Sequence, residues 1–317
     1  MQSFAIREKE IASVLEKSKS EDYICSPLNY IGGKYKLLPQ IMPLFPRQIR
    51  TFVDLFCGGC NVGINAQAER IIFNDNIRYL IELYKCFYSL NKEEVFSHIE
   101  HRIEKFNLSL TNGDGYNELR NLYNTKRNPL DLFVLVAYSF NHQIRFNSSH
   151  KFNNPFGKDR SSFNFNMKKN LYKFLDALHS KNIEFSCENF DIFCFNTLAE
   201  PDFVYCDPPY LITTGTYNDG KRGFTGWSVA EEEKLLNLLE ILNQRGIKFG
   251  LSNVLTHKGR KNTILSRWIQ DNHFHVTHLR KNYSNSNYQT LDRRIGASCE
   301  VLVTNYEPHH QQLSFNF

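Results

Sequence analysis

The chain has 317 residues, 41% apolar and 22% charged, enough for one substantial core with an appended subdomain or for two modest domains. Its 38 Lys and Arg against 33 Asp and Glu give a net charge of +5, compatible with a polyanionic partner but too small to require one. No run is long and apolar enough to span a bilayer and the opening residues lack a signal-peptide core, so a cytoplasmic protein is expected, its eight cysteines reduced.

Residues 3 to 18 predict a short amphipathic helix with Phe4, Ile11 and Leu15 on one side. Asn29-Tyr30-Ile31-Gly32-Gly33-Lys34 superficially suggests a phosphate-binding loop, but Tyr35 stands where Ser or Thr is needed and the upstream glycine is absent. A Gly-Gly turn presenting Tyr30 and Lys34 to a cofactor fits better. Residues 51 to 56 form an apolar run followed at once by Gly58, Gly59 and Gly63, which predicts a buried strand, a turn and the start of a helix. Cys57 and Cys60 have the spacing of a zinc or redox pair, but no second pair exists, and they read as small residues in a tight turn. Residues 71 to 75 predict a second strand ending on Asp75.

Residues 82 to 185 break the strand–helix rhythm. Helical stretches (82 to 106 and 129 to 140) lead into a polar, Asn-rich and aromatic segment from Asn141 to Asn170, too long for a plain loop and therefore an inserted subdomain. That segment carries six Lys or Arg against Asp159 alone, interleaved with Phe146, Phe152, Phe156, Phe163 and Phe165. The pattern suits a nucleic-acid surface or, alternatively, a solvated hairpin over a local aromatic core. Residues 203 to 206 predict a strand stopped by Pro208-Pro209. Residues 228 to 242 predict a helix opened by a Ser228/Glu231 capping box, with Leu235, Leu238, Leu239 and Leu242 inward. Strands over 247 to 252 and 300 to 304 complete a doubly wound α/β sheet. Residues 241 to 270 hold six further Lys or Arg and no acid, a candidate phosphate-contacting stretch.

Three of these features converge on chemistry. Glycines after a first strand let a ligand approach the backbone, and an acid ending the next strand can accept from ribose hydroxyls, which points to a nucleoside-containing cofactor at Asp75. Taken alone, the glycine cluster is equally well a helix cap and turn. Asp207-Pro208-Pro209-Tyr210, at the end of an apolar strand, is the decisive element. The lone pair of an exocyclic aromatic amine is delocalised into its ring. A carboxylate and a backbone carbonyl accepting its two N–H groups favour a pyramidal, nucleophilic nitrogen. The prolines stiffen that loop, and Tyr210 offers a face to an unstacked base.

With these blocks in order, the sequence resembles the Dam-related group of DNA adenine methyltransferases. Asn29 to Lys34, residues 52 to 59, residues 73 to 75 and Asp207 to Tyr210 carry the likeness, with Arg145-Phe146-Asn147, residues 152 to 157 and Leu251-Ser252-Asn253 in support. The resemblance implies a Rossmann-like S-adenosylmethionine-dependent catalytic domain over 24–81 and 186–308, a mainly helical target-recognition insert over 82–185, and an N-terminal helical extension over 1–23. It implies that Asp207, Pro208, Pro209 and Tyr210 are catalytic. Tyr30, Lys34, Asp75 and Asp207 would contact S-adenosyl-L-methionine. Gly32, Gly33, Asp54, Phe56, Gly58, Gly59 and Asn76 would shape its pocket, and Phe190 would flank its adenine. The substrate implied is double-stranded DNA with a flipped adenine, methylated without a metal or a covalent enzyme intermediate.

Asn29, Asn141, Gln143, Arg145, Asn147, Lys151 and Asn154 are the expected DNA contacts, with Arg145 suited to guanine and Asn141 or Gln143 to adenine edges. Family members that methylate GATC carry an Asn-Gly-Leu segment where this chain has His142 and Gln143, so another site is expected, as in the modification enzyme of a restriction system. Pairing with a restriction endonuclease stays open. A carbon-5 cytosine methyltransferase is excluded by the lack of a Pro-Cys pair. Cytosine-amino enzymes typically carry Ser in place of Asp207, RNA methyltransferases would not need the insert, and a non-catalytic DNA-binding module would leave Asp207 to Tyr210 unexplained.

Overall fold

The computed structural model describes residues 23–30, 32–213, 227–279 and 298–308. The helix expected over 3 to 18 lies outside them. Among the described residues eight strands form one sheet: β1 (Thr51–Asp54), β2 (Arg70–Asn74), β3 (Ile183–Ser186), β4 (Phe203–Cys206), β5 (Lys248–His257), β6 (Arg260–Lys261), β7 (His275–Leu279) and β8 (Cys299–Thr304). The order is β3-β2-β1-β4-β5-β8-β7, with β6 hairpinned onto β5. The first five strands are parallel; β8 runs antiparallel between β5 and β7.

The central strands are short and apolar because both faces are covered. Phe52, Phe203 and Tyr205 point into one core, whereas Val53, Val204 and Cys206 point into the other. On the second face lie α6 (Val229–Gln244) and α7 (Thr263–Asp271). On the first lie α1 (Arg78–Ser89), α2 (Lys92–Lys105), α3 (Gly113–Lys126), α4 (Pro129–Tyr138) and α5 (Phe165–His179). Helix α4 is apolar almost all round and is accordingly the buried centre of this group. Asn128 caps it by accepting from the Leu130 and Asp131 N–H groups, and Pro129 takes the first-turn position where its missing N–H costs nothing.

Several expectations change. β3 pairs with β2 through Ile183 to Ser186, so the boundary expected at 185 falls inside a sheet strand, and the one at 82 falls inside α1. The insert also has no core of its own: Leu132, Phe133 and Phe174 share one continuous apolar cluster with Phe52 and Phe73. Ser228 does not close a capping box, because its hydroxyl meets the Glu231 carboxylate rather than a backbone N–H. Leu236 joins Leu235, Leu239 and Leu242 in the buried stripe, while Leu238 is only half-buried. Of the interleaved aromatics, Phe146, Phe152 and Phe163 are buried, which supports the local-core alternative over an aromatic nucleic-acid surface.

Candidate active site

The strand order reverses direction between β1 and β4, and a crevice opens there beyond the C-terminal strand ends. Asp54 ends β1, Asp75 follows β2 and Asp207 follows β4, so adjacent parallel strands deliver three carboxylates to one edge. The crevice is a cleft of about 410 Å³. Every residue expected at the cofactor lines it: Tyr30, Gly32, Gly33, Lys34, Asp54, Phe56, Gly58, Gly59, Asp75, Asn76, Phe190 and Asp207. Pro208, Pro209 and Tyr210 line it too.

The floor is the glycine turn. Gly58 has φ +45°, and a Cβ there would stand 2.7 Å from the Tyr30 ring; one on Gly59 would stand 2.9 Å from the Tyr30 Cβ. Tyr30 therefore lies directly on the turn because no side chain intervenes. Asp75 orients the turn through Oδ2, which accepts from Gly58 N at 3.0 Å, and closes the turn leading into α1 through Oδ1, which accepts from Ile77 N at 2.9 Å. Burial raises its carboxyl to about 6, against these two N–H bonds. Asp54 accepts from Gly63 N at 3.0 Å, and burial raises it further, to about 8. Cys57 and Cys60 are buried free thiols within this turn. Among the described residues no group of three His, Cys, Asp or Glu is placed to hold a metal.

The catalytic-loop candidates meet a cation from the N-terminal turn. Lys34 Nζ donates to Asp207 Oδ2 at 2.6 Å and to Gly32 O at 2.9 Å, and lies 5.1 Å from the Tyr210 ring centroid. Tyr210 Oη donates to Asp207 Oδ1 at 3.1 Å. Burial pushes the Asp207 carboxyl up, opposed by the Lys34 charge and hydrogen bond. Glu300, on β8, completes the cluster: its Oε1 accepts from Tyr210 Oη at 3.0 Å and stands 3.6 Å from Lys34 Nζ. Sequence reasoning passed over Glu300; its signal was an acid opening an otherwise apolar strand. It also missed Trp227, which lines the cleft and packs on Phe56 and Phe190 at ring-centroid distances of 5.7 and 5.4 Å.

The expected DNA contacts divide. Asn29, Gln143 and Arg145 line the cleft, with Arg145 exposed. Asn141 is exposed with φ 55°, and its carbonyl accepts from Asn29 Nδ2 at 3.2 Å, tying the insert to the N-terminal turn. Lys151 is exposed outside the cleft. Two asparagines serve the loop itself. Asn154 is 2% exposed and its amide donates to the Phe140 and Gln143 carbonyls at 3.0 and 2.9 Å, so it holds the Gln143 loop and is not available to a base. Asn147 is half-buried, and its Oδ1 accepts from Ser149 and Lys151 N at 3.0 and 2.9 Å, closing a turn.

A cleft built of a glycine turn, acids at strand ends and the Asp-Pro-Pro-Tyr loop has its counterpart in a known family. The profile of the D12 class N6 adenine-specific DNA methyltransferases matches residues 30–285. The chain belongs to this family. The D12 chain is 52% identical over 290 residues to the Type II methyltransferase M.FokI of Planomicrobium okeanokoites and 50% identical to the modification methylase StsI of Streptococcus sanguinis. Each match covers 92% of this chain and 44% of the relative, so the D12 chain spans under half the length of those curated proteins. It is 28% identical over 267 residues to the DNA adenine methylase of Salmonella typhi, covering 82% of this chain and 89% of that one. With this membership, the sheet of the D12 chain is the Rossmann-like methyltransferase fold expected from sequence. No described helix is long and apolar enough to cross a membrane.

Proposed function

We propose that this chain transfers a methyl group from S-adenosylmethionine to the 6-amino group of adenine in duplex DNA, at a site other than GATC, as a modification enzyme of the restriction–modification type. The carrying observation is the Lys34–Asp207–Tyr210 cluster in a cleft whose rim bears Gln143 and Arg145. The cleft fits the cofactor on three counts: glycines packed too tightly for any Cβ, a buried acid after β2 for ribose hydroxyls, and the Phe56–Phe190–Trp227 wall for an adenine ring. When bound, S-adenosylmethionine supplies its sulfonium methyl, so that an N–C bond forms as an S–C bond breaks, a neutral thioether leaves and one amine proton is released.

The chain's residues do the rest. Arg145 and Gln143 read base edges from the rim, and Lys151 with the exposed Lys258, Arg260 and Lys261 at the far end of β5 contacts phosphates, whereas Arg245 is taken up by the Phe195 and Leu198 carbonyls. The target base leaves the stack at a cost of a few kcal/mol and rests on Tyr210. Asp207 and the Pro208 carbonyl accept its two amine N–H bonds, freeing the nitrogen lone pair. The modification role draws on the names of the relatives at about 50% identity, and the non-GATC site on His142 and Gln143.

Purified chain with tritiated cofactor is expected to label adenine in genomic duplex DNA taken from a host without adenine methylation. Asp207→Ala should abolish labelling with the fold intact by circular dichroism. Labelling of RNA alone, or of no duplex, overturns the proposal, and mapping the labelled adenines gives the site.

A further inference from the structure

In this structure the Asp207 carboxylate is engaged on both oxygens, Oδ2 by Lys34 at 2.6 Å and Oδ1 by Tyr210 Oη at 3.1 Å. A carboxylate held between a lysine and a phenol is a weakened acceptor for an incoming amine, since both donors already draw on its charge. Both donors also face one atom, Glu300 Oε1, at 3.6 Å from Lys34 Nζ and 3.0 Å from Tyr210 Oη. Glu300 comes from β8, separated from β4 by β5, and its side chain is 2% exposed. Lys34 thus faces the buried Glu300 carboxylate and the half-buried Asp207 carboxylate at once, beside the proposed seat of the amine.

We propose that Glu300 is a positioning residue for methyl transfer: it takes the Tyr210 and Lys34 donors so that Asp207 can turn an oxygen to the amine. Tyr210 already shares its proton between the two carboxylates, so the exchange needs a small rotation and no new partner. Without Glu300 the two donors would lose that second acceptor. This inference rests on the adenine-amine reading of the same site.

The test measures single-turnover labelling of the same genomic duplex by wild type, Glu300→Gln, Glu300→Asp, Tyr210→Phe and the Glu300→Gln/Tyr210→Phe double variant. Glu300→Gln should lower the rate roughly tenfold or more while leaving KM for cofactor and DNA within about twofold, the mark of an interaction used in the transition state. Glu300→Asp, which keeps the charge, should fall between wild type and Gln. In the Tyr210→Phe background the Gln substitution should cost markedly less, because the shared phenol proton is gone. A wild-type rate in Glu300→Gln, a loss confined to KM, or full additivity with Tyr210→Phe overturns the role. If Glu300→Gln does not fold, Glu300→Asp with and without Tyr210→Phe decides by the same non-additivity. A wild-type chain that labels no duplex overturns the underlying reading and the inference with it, an outcome distinct from an active wild type with an indifferent Glu300.

Discussion

Trp227 Nε1 donates to Glu232 Oε2 at 2.7 Å, and this bond holds the indole against Phe56 and Phe190 at the cleft. Glu232 is fully buried, and its other oxygen accepts from Asn253 at 3.2 Å and Asn262 at 2.9 Å. Glu232→Ala leaves three donors without their acceptor and is expected to cost about 3 kcal/mol in urea unfolding. Trp227 is one of two tryptophans, and the other, Trp268, lies in the core beneath β5. In Trp268→Phe protein, cofactor addition should therefore change the fluorescence of Trp227, and Glu232→Gln should blunt that change.

Among the described residues Lys34 is the cation paired with both Asp207 and Glu300, and the lysine and Glu300 are almost fully buried. Lys34→Met strips that cation from two neighbouring carboxylates and raises the Asp207 carboxyl further, since the Lys34 charge is what opposes the upward push of burial. At neutral pH more of Asp207 is then protonated and unable to accept the amine. The expected outcome is a loss of roughly 10²-fold in kcat at pH 7, partly recovered as pH rises. A pH–rate profile showing the same fractional loss at every pH would contradict this.

Asp75 titrates near 6 and is expected to accept ribose hydroxyls only when ionised. Cofactor affinity should consequently hold above pH 6 and weaken as pH falls through it. Isothermal titration between pH 5 and 8 should show the step in wild type, and Asp75→Asn should bind more weakly with the step removed.

Asp54 affects stability with the opposite sense from an ion-paired acid. Its carboxyl is raised to about 8 in the fold by burial, against a value near 4 in the open chain. The folded state therefore binds the extra proton between these values. Its contribution to stability is complete below about pH 4 and is lost as pH rises towards 8. Asp54→Asn keeps an acceptor for Gly63 N and should flatten this slope, gaining most on wild type near pH 8 in thermal melts.

The parts of the fold that sequence revealed are those buried on both sides. β1, β4 and β5 are apolar runs whose ends carry the motif residues, so locating the strands also located Asp54, Asp207 and the glycine turn. β3 and β7 stand at the sheet edges, half-exposed; the alternation of Ile183-Glu184-Phe185-Ser186 runs for only four residues, and His275 to Leu279 has no clear period. α3 was hidden because it opens Gly113-Asp114-Gly115, a turn signal, while its buried Tyr116, Leu119 and Tyr123 follow helical spacing. In the Asn-rich segment, composition suggested base contacts, but asparagine amides also match backbone N–H and C=O groups, and Asn147 and Asn154 are used that way. Glu232 and Glu300 were overlooked because an acid in sequence reads as surface unless its apolar neighbours are weighed.

The common core under β1 and β2 also has a practical side. Tyr84, on α1, donates to the Gly58 carbonyl at 2.7 Å, so the first helix of the inserted region is bonded to the glycine turn itself. Replacing residues 82–185 would separate Leu132, Phe133 and Phe174 from the sheet side chains of their shared core and remove the Tyr84 bond to the glycine turn. Under the proposed function, retargeting is therefore to be sought at Asn141 and Arg145, the exposed positions of that segment, with the helices beneath left as they are.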